Sequence, residues 1–138
     1  MQKDNLHISI YSFGYHKSGI PQDPNGHGGG FVFDCRFLQN PGRELYFQDK
    51  TGLDDEVINY LQKVPGIEPF LNSTCDLVIA VAKRYQQQHY THLMVSFGCT
   101  GGQHRSVYCA EYFAACLRRK GFSISLSHVD LDESLIRE

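Results

Sequence analysis

At 138 residues, with 41% apolar and 20% charged content, the chain has the size of one globular domain and can bury a core without disulfides or a structural metal. A formal charge of −2 excludes a global electrostatic pull toward nucleic acid, and no stretch approaches the roughly 20 apolar residues of a membrane-spanning helix. Five cysteines without a C-x-x-C pair argue against a disulfide framework or a zinc site, and none of the seven histidines has another four residues away, so no metal is expected.

Met1 to Asn5 lacks the apolar core of a signal peptide, which predicts a cytoplasmic location. Leu6 to Phe13 alternates, with Leu6, Ile8 and Ile10 on one face, and predicts a strand ending at Gly14. The polar stretch to Gly30 holds Pro21, Pro24, Gly26 and Gly28-Gly29-Gly30 and predicts a loop. Its glycine run precedes a strand, so it lacks the helix dipole that favours an anion, and it reads as flexible. Phe31 to Arg36 predicts a second strand running into a turn at Phe37 to Pro41. Asp34 and Arg36 stand where open α/β sheets place ligand contacts, and pairing with each other explains them as well.

Thr51, with Asp54 three residues later, predicts a helix N-cap, followed by Val57, Ile58 and Leu61 up to Pro65. Roughly Glu68 to Gln88 predicts a second helix with Phe70, Leu71, Leu77, Val78, Val81 and Tyr85 on its buried face. Thr91 to Phe97 predicts a third strand, and Val107, Ala110, Ala114 and Leu117 a third helix. Arg118-Arg119-Lys120 before Gly121 fits that helix's C-terminus and cap. Phe122 to His128 predicts a last strand before an acidic tail. The alternation predicts an α/β fold: one domain over residues 1–138, a small layered sandwich whose mixed sheet is at least partly parallel.

Between the third strand and third helix lies Gly98-Cys99-Thr100-Gly101-Gly102-Gln103-His104-Arg105-Ser106. A helix N-terminus offers unpaired N–H groups and a positive dipole, glycines let the backbone close on an anion, and an arginine forks onto two phosphate oxygens. The strand-loop-helix unit therefore predicts a phosphate site at Thr100, Gly101, Gly102, Gln103, His104, Arg105 and Ser106. The spacing Cys99, five residues, Arg105, Ser106 also fits the loop of cysteine-dependent phosphatases, with Cys99 as nucleophile and Arg105 as phosphate clamp. Gly98 stands where such phosphatases usually carry histidine, and Asp34, Asp49 and Asp130 are the general acids to be considered.

Taken with Tyr11-Ser12-Phe13-Gly14-Tyr15, Phe33-Asp34-Cys35-Arg36-Phe37-Leu38-Gln39-Asn40-Pro41 and Thr51-Gly52-Leu53-Asp54, this loop resembles the C-terminal domain of RapZ-type RNase adapter proteins over most of the chain. The resemblance implies a regulatory module that senses a phosphorylated small molecule such as glucosamine-6-phosphate or a nucleotide. It places Arg36, Asn40 and His128 beside the loop, and it brings self-assembly and an RNA or protein partner as expectations. Asn25 to Gly30 is an insertion relative to that pattern. The G-x-x-x-x-G-K-[ST] loop of the full-length proteins is not found in this sequence, so no ATP cofactor is carried over. The acidic end also departs from the family's basic tail, which leaves a local patch of His16, Lys17 and Arg118 as the remaining expectation for RNA.

Overall fold

In the computed structural model, which describes residues 5–136, the predicted strands assemble into one four-stranded sheet. The strands are β1 (His7–Gly14), β2 (Phe31–Asp34), β3 (His92–Cys99) and β4 (Ser123–His128), in the order β2-β3-β1-β4. Every pairing among the described residues is parallel. The α/β class holds, while the antiparallel component of a mixed sheet is not found there, because a helix or a long loop separates each strand from the next. The Met1–Asp4 stretch, on which the signal-peptide expectation rests, and the last two residues of the acidic tail lie outside the described residues.

The helices are α1 (Asp55–Gln62), α2 (Ile67–Gln87) and α3 (Arg105–Arg119). α3 lies across β1, β3 and β4, and α2 packs beside α3. The core between helices and sheet takes every second residue of each strand, including Ile8 and Ile10 of β1 and Val95 and Phe97 of β3. Phe97 sits 5.1 Å from the Phe113 ring of α3 and 5.3 Å from Phe33 of β2. Burying a side chain such as Phe97 contributes roughly 2–3 kcal/mol.

Sequence and structure differ at two helices. α2 buries Ile67, Leu71, Thr74, Cys75, Val78 and Ala82, and Leu77 is 48% exposed, since it lies about 100° around the helix from Val78 and off that stripe. α1 begins at Asp55, later than a Thr51 N-cap implies. Thr51 and Asp54 do bond reciprocally: Thr51 N–H donates to Asp54 Oδ2 at 2.7 Å and Asp54 N–H donates to the Thr51 carbonyl at 3.0 Å, while Thr51 Oγ1 accepts from Leu53 N–H at 3.1 Å. These bonds close a turn ahead of the helix.

On the opposite face β4 and β2 present exposed Ser123, Ser125, Ser127 and Val32. Phe13 fills the centre of its C-terminal end: a Cβ at Gly98, its register partner, would stand 2.4 Å from the Phe13 ring. The segment joining β1 to β2 crosses β3 on this face. Asp23 holds it, accepting from the N–H groups of Asn25, His27 and Gly29 at 2.8, 3.1 and 3.3 Å. The glycine-rich stretch is thus an organised turn.

Candidate anion site at the C-terminal end of the sheet

β3 delivers Cys99 to the top of the sheet, and after five intervening residues the chain enters α3. The loop between them is fastened to β1. Tyr15 and His16 N–H donate to the carbonyls of Cys99 and Thr100 at 2.8 and 3.0 Å. Gly102 has φ +74°, and a Cβ there would stand 2.8 Å from the Gly14 nitrogen and 2.9 Å from the Asp130 Cβ, so glycine is required by conformation and by space. Asp130 closes the corner by accepting from Gly14 N–H at 2.8 Å and from Ser18. Gly14 and Ser18 are part of the loop's support that sequence reasoning did not assign, and Asp130, considered there as a general acid, is a support instead; the Ser-Phe-Gly-Tyr stretch was the available signal for Gly14.

Gln103 and His104 point away from the loop's open side. Gln103 Nε2 donates to the carbonyls of Gln48 and Lys50 at 2.8 and 2.7 Å, and His104 Nε2 donates to that of Phe47 at 2.8 Å. Gly52 N–H donates to the Gln103 carbonyl at 2.9 Å, and a Cβ at Gly52 would meet the first turn of α3. The segment before α1 is thereby pressed onto the loop. Burial pushes the His104 pKa below the ordinary histidine value, against the smaller opposite effect of the carbonyls it faces. The neutral ring is the form the fold favours.

Arg105 is 4% exposed. Its Nη1 donates to the carbonyls of Arg36 and Leu38, each at 2.9 Å, and Nη2 to Thr100 Oγ1 at 3.2 Å. Nε is buried without a hydrogen-bond partner, and no carboxylate pairs with this guanidinium among the described residues. It stands at the N-terminus of α3, where no side chain caps the helix. Gly101 has no positive φ and nothing within 4 Å of an added Cβ, so no internal contact requires glycine there. The loop thus combines a buried unpaired cation, the positive end of a helix and a bare stretch of backbone.

Residues 6–132 match the RapZ C-terminal domain family. The chain belongs to that family. It is 40% identical over 94% of its length to a nucleotide-binding protein of Zymomonas mobilis, covering 38% of that protein. It is 39% identical over 96% of its length to a nucleotide-binding protein of Thermotoga neapolitana, covering 45% of it, and 39% identical over 91% to one of Ruegeria, covering 40%. The chain therefore spans about two-fifths of the length of these relatives.

The other residues carried over from the RapZ domain take different positions. The Arg36 side chain lies on the face away from α3, paired with Asp34 through Nε–Oδ1 at 2.9 Å and Nη2–Oδ2 at 2.7 Å and stacked 3.8 Å over the Tyr15 ring. That pairing, first of all the hydrogen bond from Arg36, holds the Asp34 pKa below its usual value. The loop meets Arg36 through its carbonyl. Asn40 Oδ1 accepts from Gly42 N–H at 2.9 Å, and Gly42 stands beside the His104 ring.

His128 bridges strands and helix. With a neutral ring, Nε2 donates to Glu111 Oε2 of α3 at 2.8 Å, and Nδ1 accepts from Ser12 Oγ of β1 at 2.6 Å. This resembles a Ser-His-acid relay, but Ser12 is fully buried, so the chain of bonds ties β1, β4 and α3 together. Asp130, as described, supports the corner, and Asp49 is exposed and lies 3.8 Å from Lys50.

Cys99 Sγ lies 3.1 Å from Ser106 Oγ, a contact that phosphatase loops use, but the residue is only 3% exposed. Burial raises the Cys35 thiol and pushes Cys75 up to about 12, consistent with packing roles for those two. No group of three or more metal-ligating side chains converges among the described residues, and none of the helices there is long and apolar enough to cross a membrane. His16 and Lys17 follow β1 at the C-terminal end of the sheet, whereas α3 carries Arg118 back toward the strand N-termini, about 20 Å away. The proposed basic patch is therefore not assembled.

Proposed function

We propose that this domain is a regulatory binding module that holds a phosphorylated metabolite or nucleotide at Thr100–Ser106. The observation that carries this reading is Arg105: a guanidinium 4% exposed, with an unpartnered Nε and, among the described residues, no carboxylate in ion-pair contact, at a helix N-terminus without a side-chain cap. A buried cation is costly unless paired, and the helix dipole adds positive potential. An anion relieves both. Phosphate oxygens reach the first N–H groups of α3 and the spare Arg105 donors, and Gly101 lets the ligand approach the backbone. The names of the relatives support a nucleotide as ligand.

The phosphatase reading draws on the Cys99–Ser106 contact. It fares worse, because Cys99 is buried and the Arg105 Nη1 donors are directed at carbonyls. Binding alone needs no exposed thiol.

The test is thermal stability of the purified chain against inorganic phosphate, glucosamine-6-phosphate, common nucleotides and their non-phosphorylated counterparts. A ligand at 100 times its Kd stabilises the fold by about 2.7 kcal/mol. Gly101→Ala is expected to keep the unliganded melting temperature and to weaken binding about tenfold, the equivalent of one charge-assisted hydrogen bond. Cys99→Ser is expected to bind as well as the parent. Equal response to phosphorylated and non-phosphorylated compounds, or undiminished binding by Gly101→Ala, overturns the assignment. Turnover of p-nitrophenyl phosphate that disappears in Cys99→Ser favours the enzyme.

A further inference from the structure

The Asn25–Gly30 segment builds something of its own. Between it and the sheet face opposite α3 lie two adjoining cavities that share Asp23, Gly29 and Met94 in their walls. The larger, about 530 Å³, is lined by Ile20, Pro21, Val32, Met94, Ser96 and the glycine backbone. At one side of it Ser96, 1% exposed, has a buried Oγ without a hydrogen-bond partner. The smaller, about 450 Å³, continues toward the start of β3 and is lined by His27, His92, Tyr85, Tyr90 and His89. The His27 and His92 rings are already stacked, with centroids 5.3 Å apart.

We infer that this groove is a second ligand site, separate from the anion loop, that takes an uncharged heteroaromatic ring of nucleobase or nucleoside size. The volumes fall in the range of small-molecule sites, and such sites combine apolar walls with a few convergent polar groups. Here Ile20, Pro21, Val32 and Met94 are the apolar walls, and the Met94 thioether suits a ring edge. Ser96 Oγ is a buried hydroxyl lacking the partner that nearly all such groups have, and a ring nitrogen or carbonyl supplies it. The imidazoles and Tyr90 offer π faces for stacking. Among the described residues neither cavity is lined by lysine or arginine, and the Asp23 oxygens already accept from three backbone N–H groups, so neither a phosphate nor a cation is the matching chemistry. Gly26, Gly28 and Gly29 have φ of +73°, +84° and +103° and nothing within 4 Å of an added Cβ, which leaves flat peptide surface along the rim.

The experiment is a nitrogen-15 NMR titration of the full chain with adenosine, guanosine, cytidine and uridine, and in parallel with inorganic phosphate. At least one nucleoside is expected to shift the amides of Gly28, Val32 and Ser96 saturably while leaving Gly101 and Gly102 in place. Ser96→Ala is expected to fold with an unchanged or higher melting temperature, since it removes an unsatisfied buried hydroxyl, and to weaken that nucleoside about tenfold. His27→Ala, at an exposed position, provides a second variant with the same expected direction. Gly101→Ala is expected to leave nucleoside binding intact, so a failure of the phosphate assignment and a failure of this one read differently. No saturable shift with any of the four at millimolar concentration overturns the inference. So does nucleoside affinity that Ser96→Ala and His27→Ala both leave unchanged, or shifts confined to the Cys99–Ser106 loop.

Discussion

Two glycine-rich segments flank β3, and they differ in what stands behind the glycines. At the C-terminal end, Gly101 and Gly102 are backed by the N-terminus of α3 and by the buried Arg105 guanidinium. On the face opposite α3, Gly26, Gly28 and Gly29 are backed by the Asp23 carboxylate, apolar strand residues and an unpartnered serine. Where the fold leaves a glycine open, as at Gly101 and Gly28, it supplies access to the backbone. The surrounding charge and dipole decide which ligand the backbone would suit, an anion in the proposal for the first and an uncharged ring in the proposal for the second.

The largest expected effect separates glycines that the fold needs from those it leaves open. Gly102→Ala combines a left-handed backbone with a Cβ forced to 2.8 Å from the Gly14 nitrogen, two rigid elements, and is expected to destabilise the domain by about 3 kcal/mol. Gly28→Ala has the same sign of φ but open space around it, and is expected to cost about 1 kcal/mol. Urea denaturation of the two variants beside the parent measures the difference. Equal losses break the distinction between a packed corner and an organised loop.

The contrast also marks what could be read in the sequence. Periodicity placed all four strands and three helices within a few residues, because alternation and helical spacing are local signals. The parallel order β2-β3-β1-β4 was only half legible, since pairing joins residues as distant as Ser12 and His128. In the loop, residue types predicted an anion site, but not that Gln103 and His104 would turn toward the carbonyls of residues 47–50, or that Arg105 would give two donors to Arg36 and Leu38. For Arg36 the sequence offered both a ligand contact and a pair with Asp34, and the side chain makes the pair, on the other face. The glycine run read as flexible because nothing local shows that one carboxylate, Asp23, collects three amides.

A smaller effect concerns His104, which ties residue 47 to the loop. Burial lowers its folded-state pKa below the ordinary 6.5, so the unfolded chain takes up the proton first as pH falls. The stability tied to the neutral ring is complete above about pH 6.5 and declines as pH drops from there toward the folded-state value. Urea midpoints at pH 7.5, 6.5 and 5.5 are expected to fall in that order, and less steeply in His104→Gln, whose amide can still donate to Phe47. An identical slope in the variant removes His104 from the pH response.

The smallest expected effect is confined to the other segment. Hydrogen bonds from loop amides, that of Asn25 first, lower the Asp23 pKa below 3.8. Asp23 therefore favours the ordered turn above that value, and the contribution is lost as pH falls through the depressed folded-state pKa. Asp23→Asn keeps one acceptor oxygen and replaces the other with a donor, so it can serve one end of the turn but not both. Faster amide exchange at His27 and Gly29 is expected, with weaker nucleoside binding, an unchanged global urea midpoint and phosphate binding equal to the parent. If phosphate binding falls as well, the two segments are coupled through β3. The groove then belongs to the machinery of the anion loop, and occupancy at one would be felt at the other.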